Sequence, residues 1–87
     1  MYAPNMKFKL TAHATKRCLR RKIRSEWIAL ALDNYLRILP DEDDENLIHI
    51  FWPVPDKGYK VLRVIYNEST DPVNVVTAYF ENEVIEP

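Results

Sequence analysis

A chain of 87 residues, 47% hydrophobic and 29% charged, has room for one core, so the expectation is a single domain over residues 1–87. Ordinary hydrophobic content with a net charge of −1 argues against intrinsic disorder, and a lone Cys18 excludes a disulfide scaffold and points to a reducing cytoplasm. No apolar run approaches the roughly 18 residues of a membrane span and no signal-peptide core is visible, so a cytoplasmic protein without a membrane partner is expected.

The near-neutral total conceals two opposed halves. Residues 1–40 hold nine Lys and Arg against two acids, a formal +7, whereas residues 41–87 hold three against eleven, a formal −8. Such a division suggests a polyanion-binding face beside an acidic remainder, or two halves that neutralise each other within the fold.

In chain order, Thr11 is placed to cap a helix over Ala12–Lys22, and Ser25 a second over Glu26–Tyr35. The second is apolar on most sides (Trp27, Ile28, Leu30, Ala31, Leu32), which predicts a core helix, and Glu26 suits the positive end of its dipole. Arg37–Leu39 reads as a short strand ending at Pro40. The acidic run Asp41–Glu45 then makes a turn. Leu47–Trp52, Tyr59–Tyr66 and Val73–Phe80 alternate and are rich in β-branched and aromatic residues, as strands are. Connections this short favour antiparallel neighbours. The predicted fold is therefore α+β, two N-terminal helices packed on a three- or four-stranded antiparallel sheet. Alternation places Ile48, Ile50, Leu62, Val64, Val76, Ala78 and Phe80 under the helices, and His49, Arg63, Thr77 and Tyr79 on the far face.

The first helix carries the sharpest chemical signal. His13, Arg17, Arg20, Arg21 and Arg24 recur at spacings of three and four, which draws a cationic stripe. Like charges at these spacings call for a counter-charge, either Asp41–Glu45 or an external polyanion. Guanidinium suits bidentate phosphate contact, and imidazole titrates near neutrality, as an acid–base catalyst should. Lys16, Arg20 and Arg24 are RNA-contact candidates. On the sheet, Arg63 can stabilise charge on a pentavalent phosphate, Thr77 can bond a phosphate oxygen and Tyr79 can stack or donate a proton. His13, His49, Cys18 and the carboxylates show no metal-ligand spacing, and a single Gly leaves no Gly-rich phosphate loop, so neither metal nor cofactor is expected.

The run Leu10-Thr11-Ala12-His13-Ala14-Thr15-Lys16-Arg17, then Arg21-Lys22-Ile23 and Val75-Val76-Thr77-Ala78-Tyr79, resembles a family of small bacterial domains of unknown function. That family has been grouped with the barnase–EndoU–colicin–RelE-like (BECR) ribonuclease fold. The resemblance implies a toxin of a toxin–antitoxin pair with RNA as substrate and a cognate antitoxin as partner. By position it implicates His13, Arg17, Arg21, Thr77 and Tyr79; Arg63 joins them from the face argument alone. One departure stands out, since RelE-like toxins are usually basic throughout and the C-terminal half here is acidic. The leading expectation is a metal-independent endoribonuclease. The alternative is a non-catalytic module that binds RNA or a protein partner through the cationic stripe.

Overall fold

The computed structural model describes residues 6–81. The elements run β1 (Phe8–Leu10), α1 (Ala12–Arg21), α2 (Ser25–Asn34), β2 (Arg37–Pro40), β3 (Leu47–Val54), β4 (Lys60–Asn67) and β5 (Val73–Phe80). The strands form one five-stranded sheet in the order β1-β5-β4-β3-β2. Pairings among β2, β3, β4 and β5 are antiparallel, whereas β1 runs parallel to β5. The sheet is thus mixed and one strand larger than the antiparallel three- or four-stranded sheet expected. A strand before the helices was missed because Phe8-Lys9-Leu10 is too short to display alternation, and its parallel partner lies more than sixty positions away.

Local chemistry explains the helix limits. Thr11 Oγ1 accepts from the Ala14 N–H at 3.0 Å, as expected of the cap. At the other end Lys22 turns left-handed (φ 57°), its N–H bonds Leu19 O at 3.2 Å and that of Ile23 bonds Cys18 O at 2.9 Å, which closes α1 one residue early. Helix α2 begins at Ser25 itself, after an extended Arg24, with no side-chain cap. Its stability comes from burial: Trp27, Ile28, Ala29, Ala31 and Leu32 are all inside. The only glycine, Gly58, takes φ +62° in the tight β3–β4 connection, a conformation that favours a residue without a Cβ.

The core lies between the helices and one sheet face. Ala14, Cys18, Trp27, Ile28 and Leu32 meet Ile50, Leu62, Val64, Val75, Ala78 and Phe80. Trp27 and Phe80 meet edge to face, with ring centroids 6.2 Å apart. Strand β5 does not keep one parity. Its register against β4 slips between Ile65 and Tyr66, which pair with Thr77 and Val75, so Val76 is the extra residue. The bulge puts Val75 in the core at 0% exposure and expels Val76, the reverse of the simple alternation expected. None of the helices among the described residues is long and apolar enough to cross a membrane.

Candidate functional site

Strand β1 accompanies β5 only as far as Val75, where the Thr11 N–H bonds Val75 O at 3.0 Å. From Val76 onward β5 has no strand on that side among the described residues. Helix α1, entered directly from β1, packs along this uncovered edge. Arg21 reaches from it to donate to Ala78 O at 2.8 Å and to Thr77 Oγ1 at 3.5 Å, which satisfies an edge carbonyl that a neighbouring strand would otherwise take. The guanidinium also lies 5.8 Å from the Tyr79 ring centroid.

The result is an open cleft of about 490 Å³ lined by His13, Arg17, Arg21, Val76, Thr77 and Tyr79. Helix spacing aligns the first three, and strand alternation after the bulge turns Thr77 and Tyr79 to the same place. His13 is exposed and forms no hydrogen bond or ion pair among the described residues. Arg17 is half-buried, and its Nε is shielded from solvent without a hydrogen-bond partner. Arg63 joins from the far face: its Nη1 donates to Tyr79 Oη at 3.0 Å. It is also engaged by an acid, since Arg63 Nε lies 2.5 Å from Glu81 Oε1 in an ion pair whose N–H is not aimed for a hydrogen bond. Because Tyr79 Oη accepts from Arg63, its own proton is left to donate.

Other candidates sit elsewhere. Lys16 and Arg20 are exposed on α1 outside the cleft lining. Arg24 lies past the end of α1, where it bonds Glu26 at 3.2 Å and covers the Trp27 ring at 5.9 Å. His49 is held by Asp41, Nε2 to Oδ1 at 2.6 Å. That hydrogen bond, with the N–H groups of Asp44 and Asp43, holds the Asp41 carboxyl below the usual carboxylate range. The acidic run occupies the β2–β3 turn, at the sheet edge opposite β5, and no ion pair joins it to α1 among the described residues. Cys18 faces the core; burial pushes its thiol up, against a lesser pull from Arg21, so it is poorly suited to act as a thiolate. No group of three or more His, Cys, Asp or Glu suited to a metal ion occurs among the described residues.

Sequence reasoning missed Val76, Arg37 and Phe51. Val76 reaches the cleft only through the bulge. Arg37 and Phe51 are brought beside Arg63 by register: Phe51 pairs directly with Arg63, whose guanidinium lies 4.5 Å from its ring centroid, and Arg37 pairs with Phe51. A fixed strand register would have revealed them, but register is not written in any one segment.

Over residues 10–80 the chain matches the family described as Domain of unknown function (DUF4258), and it belongs to that family. No curated protein matches the chain, and no solved structure does.

Proposed function

We propose that this DUF4258 domain is a metal-independent endoribonuclease, the toxin component of a bacterial toxin–antitoxin pair, in keeping with the grouping of the family it resembles with the BECR ribonuclease fold. The observation that carries the reading is the meeting of an unengaged imidazole, two guanidiniums, a hydroxyl and a phenol in one open cleft. RNA supplies its own nucleophile, the 2′-hydroxyl, so the protein need only move protons and stabilise charge.

In the proposed step His13 takes the 2′-hydroxyl proton and O2′ attacks the adjacent phosphorus. The P–O5′ bond breaks, and the Tyr79 hydroxyl protonates the departing 5′-oxygen. The products are a 2′,3′-cyclic phosphate and a free 5′-hydroxyl; proton transfer from His13 through solvent restores the phenol. Arg17, with donors to spare, and Arg21 face the charge that grows on the phosphorane. Thr77 orients a non-bridging oxygen, and Arg63 fixes Tyr79.

The test is incubation of 5′-labelled single-stranded RNA with the protein in EDTA, read on a sequencing gel. Cleavage leaving cyclic-phosphate ends, lost in His13→Ala and Arg17→Ala, is expected. Intact RNA with the native protein overturns the catalytic reading.

A second reading has its own support, because Arg21 and Arg63 are already engaged by Ala78 O and Glu81. A non-catalytic module would use the remaining donors only to bind, and RNA binding without cleavage in that assay identifies it.

A further inference from the structure

On the sheet face away from the helices, Arg37 on β2, Phe51 on β3, Arg63 on β4 and Tyr79 on β5 are direct cross-strand partners in one row. Cation and aromatic alternate along it. The Arg37 guanidinium lies 5.3 Å from the Phe51 centroid, and Arg63 lies 4.5 Å from Phe51 and 5.8 Å from Tyr79. Arg21 continues the series from α1, 5.8 Å from Tyr79. With strands about 4.8 Å apart, four strands span roughly 14 Å, too long a row for one small anion and suited to a chain of them.

A groove of about 430 Å³ runs beside this row, lined by Leu36, Phe51, Pro53 and Val61 together with Arg37, Arg63 and Glu81. Phe51 is only 6% exposed although no helix among the described residues packs on this face, so at Phe51 the row offers guanidinium planes rather than a bare ring. Apolar floor and spaced cations together match what single-stranded nucleic acid presents, unstacked bases on one side and phosphates on the other. A duplex turns its bases inward and has nothing to lay on the apolar floor.

We propose that this row is a binding track for single-stranded RNA, entered from the His13 cleft, with successive phosphates meeting Arg21, Arg63 and Arg37. The proposal rests on the RNA reading above and extends it across the sheet. Glu81 belongs to the track as its resident counter-ion: its carboxylate already occupies Arg63 and must yield to a phosphate.

The experiment uses 2′-O-methyl oligonucleotides, which cannot be cleaved, at two, four and six nucleotides, with fluorescence anisotropy at two salt concentrations. Affinity should rise with length. Arg37→Ala should cost the hexamer about five- to tenfold with an unchanged melting temperature, and should make the salt dependence shallower by about 0.7 in log–log slope. Glu81→Gln should tighten binding several-fold at low salt. Equal binding by Arg37→Ala and native protein at every length overturns the track. So does equal affinity for a duplex hexamer, or displacement of the RNA by an equimolar poly-glutamate peptide. Cleavage without Arg37 dependence removes the track alone, whereas Arg37-dependent binding without cleavage removes only the catalytic reading.

Discussion

The chain has two histidines, and they occupy opposite circumstances. His13 stands exposed on α1, beside Arg17 and Arg21 and at the uncovered edge of β5. His49 is on β3 and is bound at 2.6 Å to Asp41 in the acidic turn at the other side of the sheet. The same imidazole is thus available for proton transfer in one place and employed as a tie in the other. The difference comes from neighbours: the guanidiniums beside His13 are donors only and offer it no acceptor, whereas the Asp41 carboxylate, just past β2, lies within hydrogen-bond reach of His49 on the adjacent β3. A sequence search for catalytic histidine cannot tell these apart by residue type. Their partners can.

The most severe test of the comparison is a matched pair of substitutions. His13→Ala should lower RNA cleavage by about 10²–10⁴-fold, the usual contribution of a general base, with little change in melting temperature because the side chain is exposed. His49→Ala should lower the melting temperature and leave the cleavage rate within about twofold of native. Kinetics and thermal melts on the two proteins decide it. If His49→Ala is the inactive variant, the roles assigned to the two regions are reversed.

The second test concerns the bulge that gives the cleft one of its walls. Val75 is fully buried and Val76 half-exposed, so Val75→Ala should cost about 2 kcal/mol and Val76→Ala under about 0.5 kcal/mol. Denaturant titrations measure both. The opposite order would mean that β5 keeps a regular alternation, with Val76 in the core and absent from the cleft wall.

This bulge also marks where the sequence ceased to be legible. Helix α1 was readable because Thr11 offers a cap and the cationic spacing declares a face. The strands β3, β4 and β5 were readable from alternation, and α2 from its apolar run. Strand β1 was not: three residues carry no period, and what makes them a strand is pairing with Val73, Asn74 and Val75. That contact in turn delivers α1 to the edge of β5. Five of the candidate site residues were named from composition and resemblance, but the reason they meet, a short parallel strand that stops at Val75, is tertiary. Arg37 and Phe51 were invisible for the same reason, since cross-strand neighbours depend on register rather than on any local signal.

A smaller effect separates the two arginines of the cleft. Arg21 both faces the proposed reaction and satisfies Ala78 O, whereas no hydrogen bond is formed by Arg17 among the described residues. Arg21→Met should therefore cost about 1.5 kcal/mol of stability as well as activity, the low end for a charge-assisted bond, at a sheet edge that water can partly repair. Arg17→Met should cost activity with almost none of the stability. Equal melting curves for the two would show that the Arg21 bond does not hold α1 to the strand.

The smallest expected effect belongs to the acidic turn, and its sign follows from linkage. The His49 hydrogen bond, then the Asp44 and Asp43 N–H groups, hold the Asp41 carboxyl below its ordinary value, near 3.9 when unfolded. Folding thus favours the carboxylate over its protonated form. The stability gained is complete above the unfolded value and is lost as pH falls through the lower folded value. Asp41→Asn keeps the shape and removes the charge. Its melting temperature should lie slightly below native at pH 5, and the gap should close as the pH falls below about 4, when the native turn protonates as well. The shift should be small because such pairs near solvent stabilise weakly, and RNA cleavage should not follow it. A gap that instead widens on acidification would mean that Asp41 is destabilised as a carboxylate in the fold, and His49 would lose the partner that distinguishes it from His13.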